Sequence, residues 1–259
     1  MKLHPAEFIT LKQFQGGFGW HNRLASEVKR KYRTKIESID ANLAREIAVK
    51  MNGEFIGERI YPTVRWTIFL NPIRKLRIVF LFDENEEFGK NLYFFFGREA
   101  RDEIPTEEAA VFTQCYLSVL FRFKEYLLSK SESTSARLVS VYELEKQRGE
   151  AFAKYFIGER EFLMKYIKSE IAEKAAREVN AEFSGNANEN WRIKVSPLFD
   201  LRIVYALKNS GDVDVLVDEA AASKYLTGIF MGFAWLYGTE FIRAAQKLDP
   251  ELPKLSRYI

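Results

Sequence analysis

Apolar residues recur every three or four positions through residues 22–51, at Leu24, Val28, Tyr32, Ile36, Ile39, Leu43 and Ile47. That spacing predicts one amphipathic helix. Its other face carries Lys29, Arg30, Arg33 and Lys35, and Asn52-Gly53 ends it, because glycine tolerates the left-handed turn. The period then drops to two. Val64, Trp66, Ile68 and Leu70 alternate with Arg65, Thr67 and Phe69, as in a strand with one buried face. Asn71-Pro72 breaks the run, Leu76–Phe82 resumes it, residues 83–87 turn the chain, and Leu92–Phe96 reads as a further strand. A helix follows from Thr106, its expected N-cap, with Glu107 and Glu108 favoured by the helix dipole.

The same order returns in the second half. A polar stretch, Ser129–Ser135, reads as a linker, Leu138–Leu144 as a short strand, and Glu150 to about Phe183 as helical with a break at Gly158. Trp191, Ile193 and Val195 then alternate with Arg192 and Lys194. Ser196-Pro197 breaks the run, Leu201–Leu207 resumes it, residues 209–212 turn, and Val213–Val217 is a third strand. Asp218 is the expected cap of a long helix over 219–247. The phrase from Pro72 to Phe80 thus parallels that from Pro197 to Tyr205. Two further landmarks flank it: Ala44-Arg45-Glu46 against Ala176-Arg177-Glu178, and Glu108-Ala109-Ala110 against Glu219-Ala220-Ala221. The pattern predicts an α+β protein of two related helix–antiparallel sheet–helix halves, residues 1–130 and 131–259, arising by internal duplication and joined by a short strand and helices. Whether the halves form one continuous domain stays open at this stage.

Composition narrows the function classes. A chain of 259 residues suffices for one large domain or two small ones. The net charge of +3 supplies no global field for nucleic acid, although residues 1–52 hold ten Lys/Arg against five Asp/Glu. The single cysteine, Cys115, excludes an intrachain disulfide and a cysteine-based metal site, and fits a reducing cytoplasm. The N-terminus lacks the apolar stretch of a signal peptide. Ala220–Tyr237, interrupted by Lys224, is too short an apolar run to span a bilayer and reads as a core helix.

Tyr116-Leu117, then Val139–Leu144, then Ala151–Phe156, and later Gly211–Asp218 with Tyr225-Leu226, follow a recognisable order. Over roughly residues 105–245 the chain resembles an uncharacterised archaeal and bacterial family of unknown function. Some members of that family are fused to a four-iron iron–sulfur domain of the corrinoid-protein type. The resemblance implies no activity that can be transferred. With one cysteine, no iron–sulfur role comes with it.

Candidate chemistry is sparse. His4 and His21 lack partners at metal-ligand spacing, and no metal site or cofactor is assigned. Asp212 and Asp214 lack the full calcium-loop pattern. No nucleophile-elbow, zincin or phosphate-loop motif occurs. Gly228 and Gly232 form a G-x-x-x-G in an apolar helix, best read as close packing in a core with Phe230, Phe233, Trp235 and Tyr237.

Basic sheet positions are the better candidates. If Leu70 faces Leu76 and Val195 faces Leu201, then Phe69 lies opposite Arg77, and Lys194 opposite Arg202 with Arg192 on the same face. Like charges directly opposed need compensation, from a carboxylate or an anionic ligand. Arg77, Arg192, Lys194 and Arg202 are therefore the anion-binding candidates. Lys29, Arg30, Arg33 and Lys35 are the nucleic-acid candidates, but Glu27, Glu37 and Glu46 dilute that stripe and no binding motif surrounds it. The readings that remain are a non-catalytic cytoplasmic protein-interaction module, or a small-molecule enzyme or carrier holding an anion over the basic sheet face.

Overall fold

The computed structural model describes residues 4–56, 61–132, 137–149, 160, 163–185, 191–196, 199–206 and 212–254. The fold is α+β, and the chain divides into two compact units, residues 1–123 and 124–259.

The first unit opens with β1 (Phe8–Ile9) and α1 (Gly17–Glu27), which runs through a π-helical turn, Val28–Tyr32, into α2 (Arg33–Glu37). Then come α3 (Ala41–Lys50), β2 (Glu54–Phe55), β3 (Val64–Ile73), β4 (Leu76–Asn85), β5 (Gly89–Gly97), α4 (Ala100–Glu103) and α5 (Thr106–Glu132). The expected single helix over 22–51 is therefore broken. Ser38 closes α2, and the Asp40 carboxylate accepts the Leu43 N–H at 2.8 Å to start α3. A tertiary contact accompanies the Asp40 cap at the break: the buried Trp66 indole N–H donates to the Ile39 carbonyl at 2.9 Å. Thr106 is not the cap of α5 either. The Ala109 N–H bonds the Pro105 carbonyl, and the Thr106 hydroxyl donates to the Gln15 carbonyl at 2.6 Å.

The second unit follows with β6 (Leu138–Ser140), α6 (Val141–Arg148), α7 (Ser169–Glu178), β7 (Glu182–Gly185), β8 (Trp191–Ser196), β9 (Leu201–Ala206), β10 (Asp212–Asp218), α8 (Glu219–Lys224) and α9 (Thr227–Leu248). The expected strand over 138–144 is a three-residue strand that turns into a helix. The predicted linker residues Ser129–Glu132 belong to α5, and residues 133–135 lie outside the described residues. So do the expected helical residues 150–159, Gly158 among them, and turn residues 209–211. Asp218 caps only the short α8, through the Ala221 N–H at 2.7 Å; Tyr225 and Leu226 separate it from α9.

Both sheets are antiparallel, five-stranded and ordered alike, β1–β5–β4–β3–β2 and β6–β10–β9–β8–β7. In each, the unit's first strand pairs with its last. The likeness reaches single residues. Asn52 and Asn180 both take a left-handed backbone (φ 55° and 54°) after α3 and α7, and both stand two residues before a Glu-Phe that opens the next strand. The Gly53 N–H bonds the Ala48 carbonyl as the Ala181 N–H bonds that of Ala176. By this geometry Ala44 stands where Ala172 does, so the two Ala-Arg-Glu triplets lie one turn apart within their helices. The Glu-Ala-Ala landmark fails similarly. Glu219 begins the short α8, which like α4 follows the last strand of its sheet, while Glu108 lies in the long α5.

The central hairpins carry a matching irregularity. Leu70 pairs with Ile78 and Ile73 with Leu76; Ile193 pairs with Ile203 and Ser196 with Leu201. In each case two residues, Asn71-Pro72 or Lys194-Val195, oppose one arginine, Arg77 or Arg202. This is a β-bulge, which leaves a residue out of the ladder and so accommodates a proline without an N–H. The expected register of the first hairpin is corrected accordingly: Phe69 faces Val79 and Thr67 faces Leu81. Pro72 sits inside β3, and a two-residue turn, Arg74-Lys75, makes the reversal. The second hairpin does place Lys194 opposite Arg202, but Ser196 rather than Val195 faces Leu201. Pro197 and Leu198 lie outside the described residues.

Trp66, Ile68, Leu70, Ile78, Phe80, Phe94 and Phe96 form the buried face of the first sheet, against which α3 packs. Ile193, Leu201, Ile203, Val213, Val215 and Val217 do the same in the second, over α9. The side chain of Trp191 lies outside the described residues. Phe199 is the hub of that core. Its ring lies 4.9 Å from Tyr225, 5.4 Å from Phe230, 5.7 Å from Tyr126 and 6.2 Å from Phe233. Among the described residues no helix is long and apolar enough to cross a membrane.

Candidate functional site

The anion candidates are largely occupied by the protein's own carboxylates. Arg77 forms a two-pronged pair with Glu99, through Nη2 to Oε2 at 2.7 Å and Nε to Oε1, and reaches Glu7 at 3.5 Å. Its guanidinium also lies 5.2 Å from the Phe8 ring. The Arg77 hydrogen bonds hold the Glu99 carboxyl below its usual range. In the second unit, Arg202 is gripped by Asp200 at 3.1 and 2.6 Å, and Lys194 lies 3.5 Å from Asp200 and 3.9 Å from Glu182. Burial alone would raise the Asp200 carboxyl, yet the Arg202 and Lys194 charges hold it below its ordinary range. The like-charge opposition on β8 and β9 is thus relieved by a carboxylate from the connecting turn. Arg192 is exposed and forms no ion pair among the described residues.

The basic stripe does not form one helix face. The π-helical turn carries Lys29, Arg30 and Lys31 and shifts the phase between α1 and α2. Lys31 pairs with Glu27 at 2.7 Å, and Arg30 and Lys35 are exposed. The side chain of Arg33 lies outside the described residues. Cys115 is fully buried, and burial pushes its thiol up to about 12, which keeps it protonated and unreactive at neutral pH. Asp214 accepts from the Ser140 hydroxyl at 2.9 Å; burial raises its carboxyl. Among the described residues no three His, Cys, Asp or Glu side chains cluster as a metal site.

A groove of about 550 Å³ in the first unit is the site that sequence reading did not find. One wall is the edge of β5 from Gly89 to Phe95; the other comes from α1, the π-helical turn and α2, through His21, Ala25, Val28, Lys29 and Ile36. Phe88, on the β4–β5 turn, stands 70% exposed at its rim. The groove exists because β1 pairs only with Phe96 and Gly97 before the chain turns away at Thr10. The phase of the ladder fixes which backbone groups are left over. The Arg98 N–H donates to the Glu7 carbonyl on the β1 side, so even-numbered residues of β5 point there and odd-numbered ones toward β4. Lys90, Leu92 and Phe94 therefore present their N–H and C=O groups to the groove.

No family model, curated protein or solved structure matches this chain. The functional reading accordingly rests on the groove.

Proposed function

We propose that this protein is a cytoplasmic, non-catalytic interaction module whose first unit holds another protein in the groove beside β5. The observation that carries this reading is the interrupted ladder: a walled cleft flanking strand backbone that the chain's own β1 leaves uncovered. Uncovered strand edges are places where proteins add partners, and natural folds otherwise cover them. A π-helical turn in the facing wall fits this, since such turns recur at functional sites. The buried, protonated Cys115 and the internally paired arginines favour binding over catalysis. A photo-crosslinking phenylalanine analogue placed at Phe88 in native cells tests the reading. A discrete protein adduct, lost when Ala25→Glu narrows the groove, is expected. Labelling no stronger than at the exposed Tyr61 position would dispose of the proposal.

The two units belong, in the same reading, to one duplicated ancestor. Shared strand order, the asparagine hinge and the arginine-facing bulge support this. An experimental structure in which the Arg77 and Arg202 bulges and their flanking strands failed to superpose would remove that support.

A further inference from the structure

We infer that the groove's occupant is an extended, acidic peptide segment of another protein, added to β5 as a strand in line with β1 and antiparallel to β5. The inference rests on the interaction reading and names its ligand.

Three observations select this occupant. First, the free hydrogen-bonding groups come in a strand's pattern. Lys90, Leu92 and Phe94 offer a donor and an acceptor at every second residue, while Asn91, Tyr93 and Phe95 are committed to β4. A helix, whose backbone bonds are internal, would leave these groups unanswered. A strand satisfies all of them, and the chain itself begins that pairing at Phe8 and Ile9. Second, the length fits. Six residues from Lys90 to Phe95 extend about 20 Å at the rise of a strand, room for a peptide of about six residues. Third, the lining is one-sided in charge. Among the described residues it includes Lys29 and Lys90 and no carboxylate, while His21, whose pKa burial and Lys12 lower, stays neutral. Lys90 already shares Glu37 and Glu84, both at 3.4 Å, so among the described residues of the lining Lys29 is the exposed cation left to meet an acid. Val28 and Ile36 on the helical wall accept apolar side chains on one side of such a strand. Alternation of apolar and acidic positions follows from the period of two.

The test selects a display library of random heptapeptides on the full-length protein, with Ala25→Glu as the counter-selection. Enrichment of peptides with Asp or Glu at alternate positions is expected. The selected peptides, synthesised and added in excess, should slow amide exchange at Lys90, Leu92 and Phe94 about tenfold or more, and leave Asn91, Tyr93 and Phe95 unchanged. N-methylation of alternate peptide amides should abolish binding in one phase and spare it in the other. Lys29→Glu should weaken binding about fivefold or more, as charge reversal at a solvent-facing contact does. Enrichment of basic or helical-period peptides, or binding without protection at Leu92 and Phe94, would overturn the inference, while a Phe88 adduct would still uphold the interaction reading. No enrichment over the counter-selection also overturns it. Protection of the same amides in the protein alone, rising with its concentration, would assign the edge to a second copy of the chain instead.

Discussion

Phe199→Ala is expected to cost the second unit about 3–5 kcal/mol, the range for truncating a fully buried aromatic. The residue is wholly buried and in ring contact with Tyr126, Tyr225, Phe230 and Phe233, so its loss opens a void bounded by four rigid side chains that collapse poorly. Its backbone is tied as well, since the Asp218 N–H donates to the Phe199 carbonyl at 2.9 Å. That bond limits how far the β8–β9 connection can sink to fill the space. Asp218 in turn accepts the Tyr126 hydroxyl at 2.8 Å, so the void borders a buried polar pair. Hydrogen exchange of the β9 amides should accelerate roughly a hundredfold to several thousandfold, at about 1.4 kcal/mol per factor of ten. Phe199→Leu, which keeps most of the volume, should cost about 1.5 kcal/mol or less. Equal, small effects from both substitutions would show that Phe199 is not the hub described.

Trp66→Ala should be comparably severe in the first unit, about 3–5 kcal/mol from lost packing. Trp66 is completely buried, with Phe82 at 5.4 Å between ring centroids, and its indole N–H holds the Ile39 carbonyl at the helix break. Trp66→Phe separates the two roles. It retains much of the apolar contact but leaves the Ile39 carbonyl without its donor, for a loss of about 1–3 kcal/mol. Because Ile36 of α2 lines the groove one turn before the break, Trp66→Phe should also weaken whatever occupies that groove. Exchange at the β3 and β4 amides reports the first effect, and the Phe88 crosslinking yield reports the second. Undiminished crosslinking with destabilised amides would mean that the break does not position the groove wall.

The sheets were the legible part of this sequence. Alternation at Trp66, Ile68 and Leu70, and at Ile193 and Val195, named buried positions correctly, because side-chain period is a local property, but it missed that Thr67, Val79 and Leu81 on the other face of the first sheet are buried as well. Lys194 opposite Arg202 also came out right, because the bulge at Val195 lies beyond that pair and leaves the register up to it unshifted. What failed was set by distant partners. The helix over 22–51 keeps its apolar spacing through Ser38-Ile39-Asp40, and the bend there is made by the Asp40 cap and by Trp66, reaching in from β3. Pro72 looked like a strand end because the bulge that shelters it is a property of two strands. Phe199 looked like a turn residue for want of any local mark of its burial. Asn52-Gly53-Glu54-Phe55 and Asn180-Ala181-Glu182-Phe183, which take the same turn into β2 and β7, are matching phrases in the sequence that the chosen landmarks pass over. The groove left no sequence signal, since whether β5 has a free edge depends on where β1 stops pairing.

In both units the opening strand is hydrogen-bonded to the closing one, β1 to β5 and β6 to β10. As the chain leaves the ribosome, each sheet must wait for its last strand before its first can dock. These are the costliest loops to close and the latest contacts to form. A nascent chain whose β9 has left the ribosomal tunnel while β10 is still inside it would hold β9 with one side exposed and β6 with no strand to join. A delay that keeps β10 inside the tunnel after β9 has emerged should therefore favour aggregation more than the same delay after β10 has emerged.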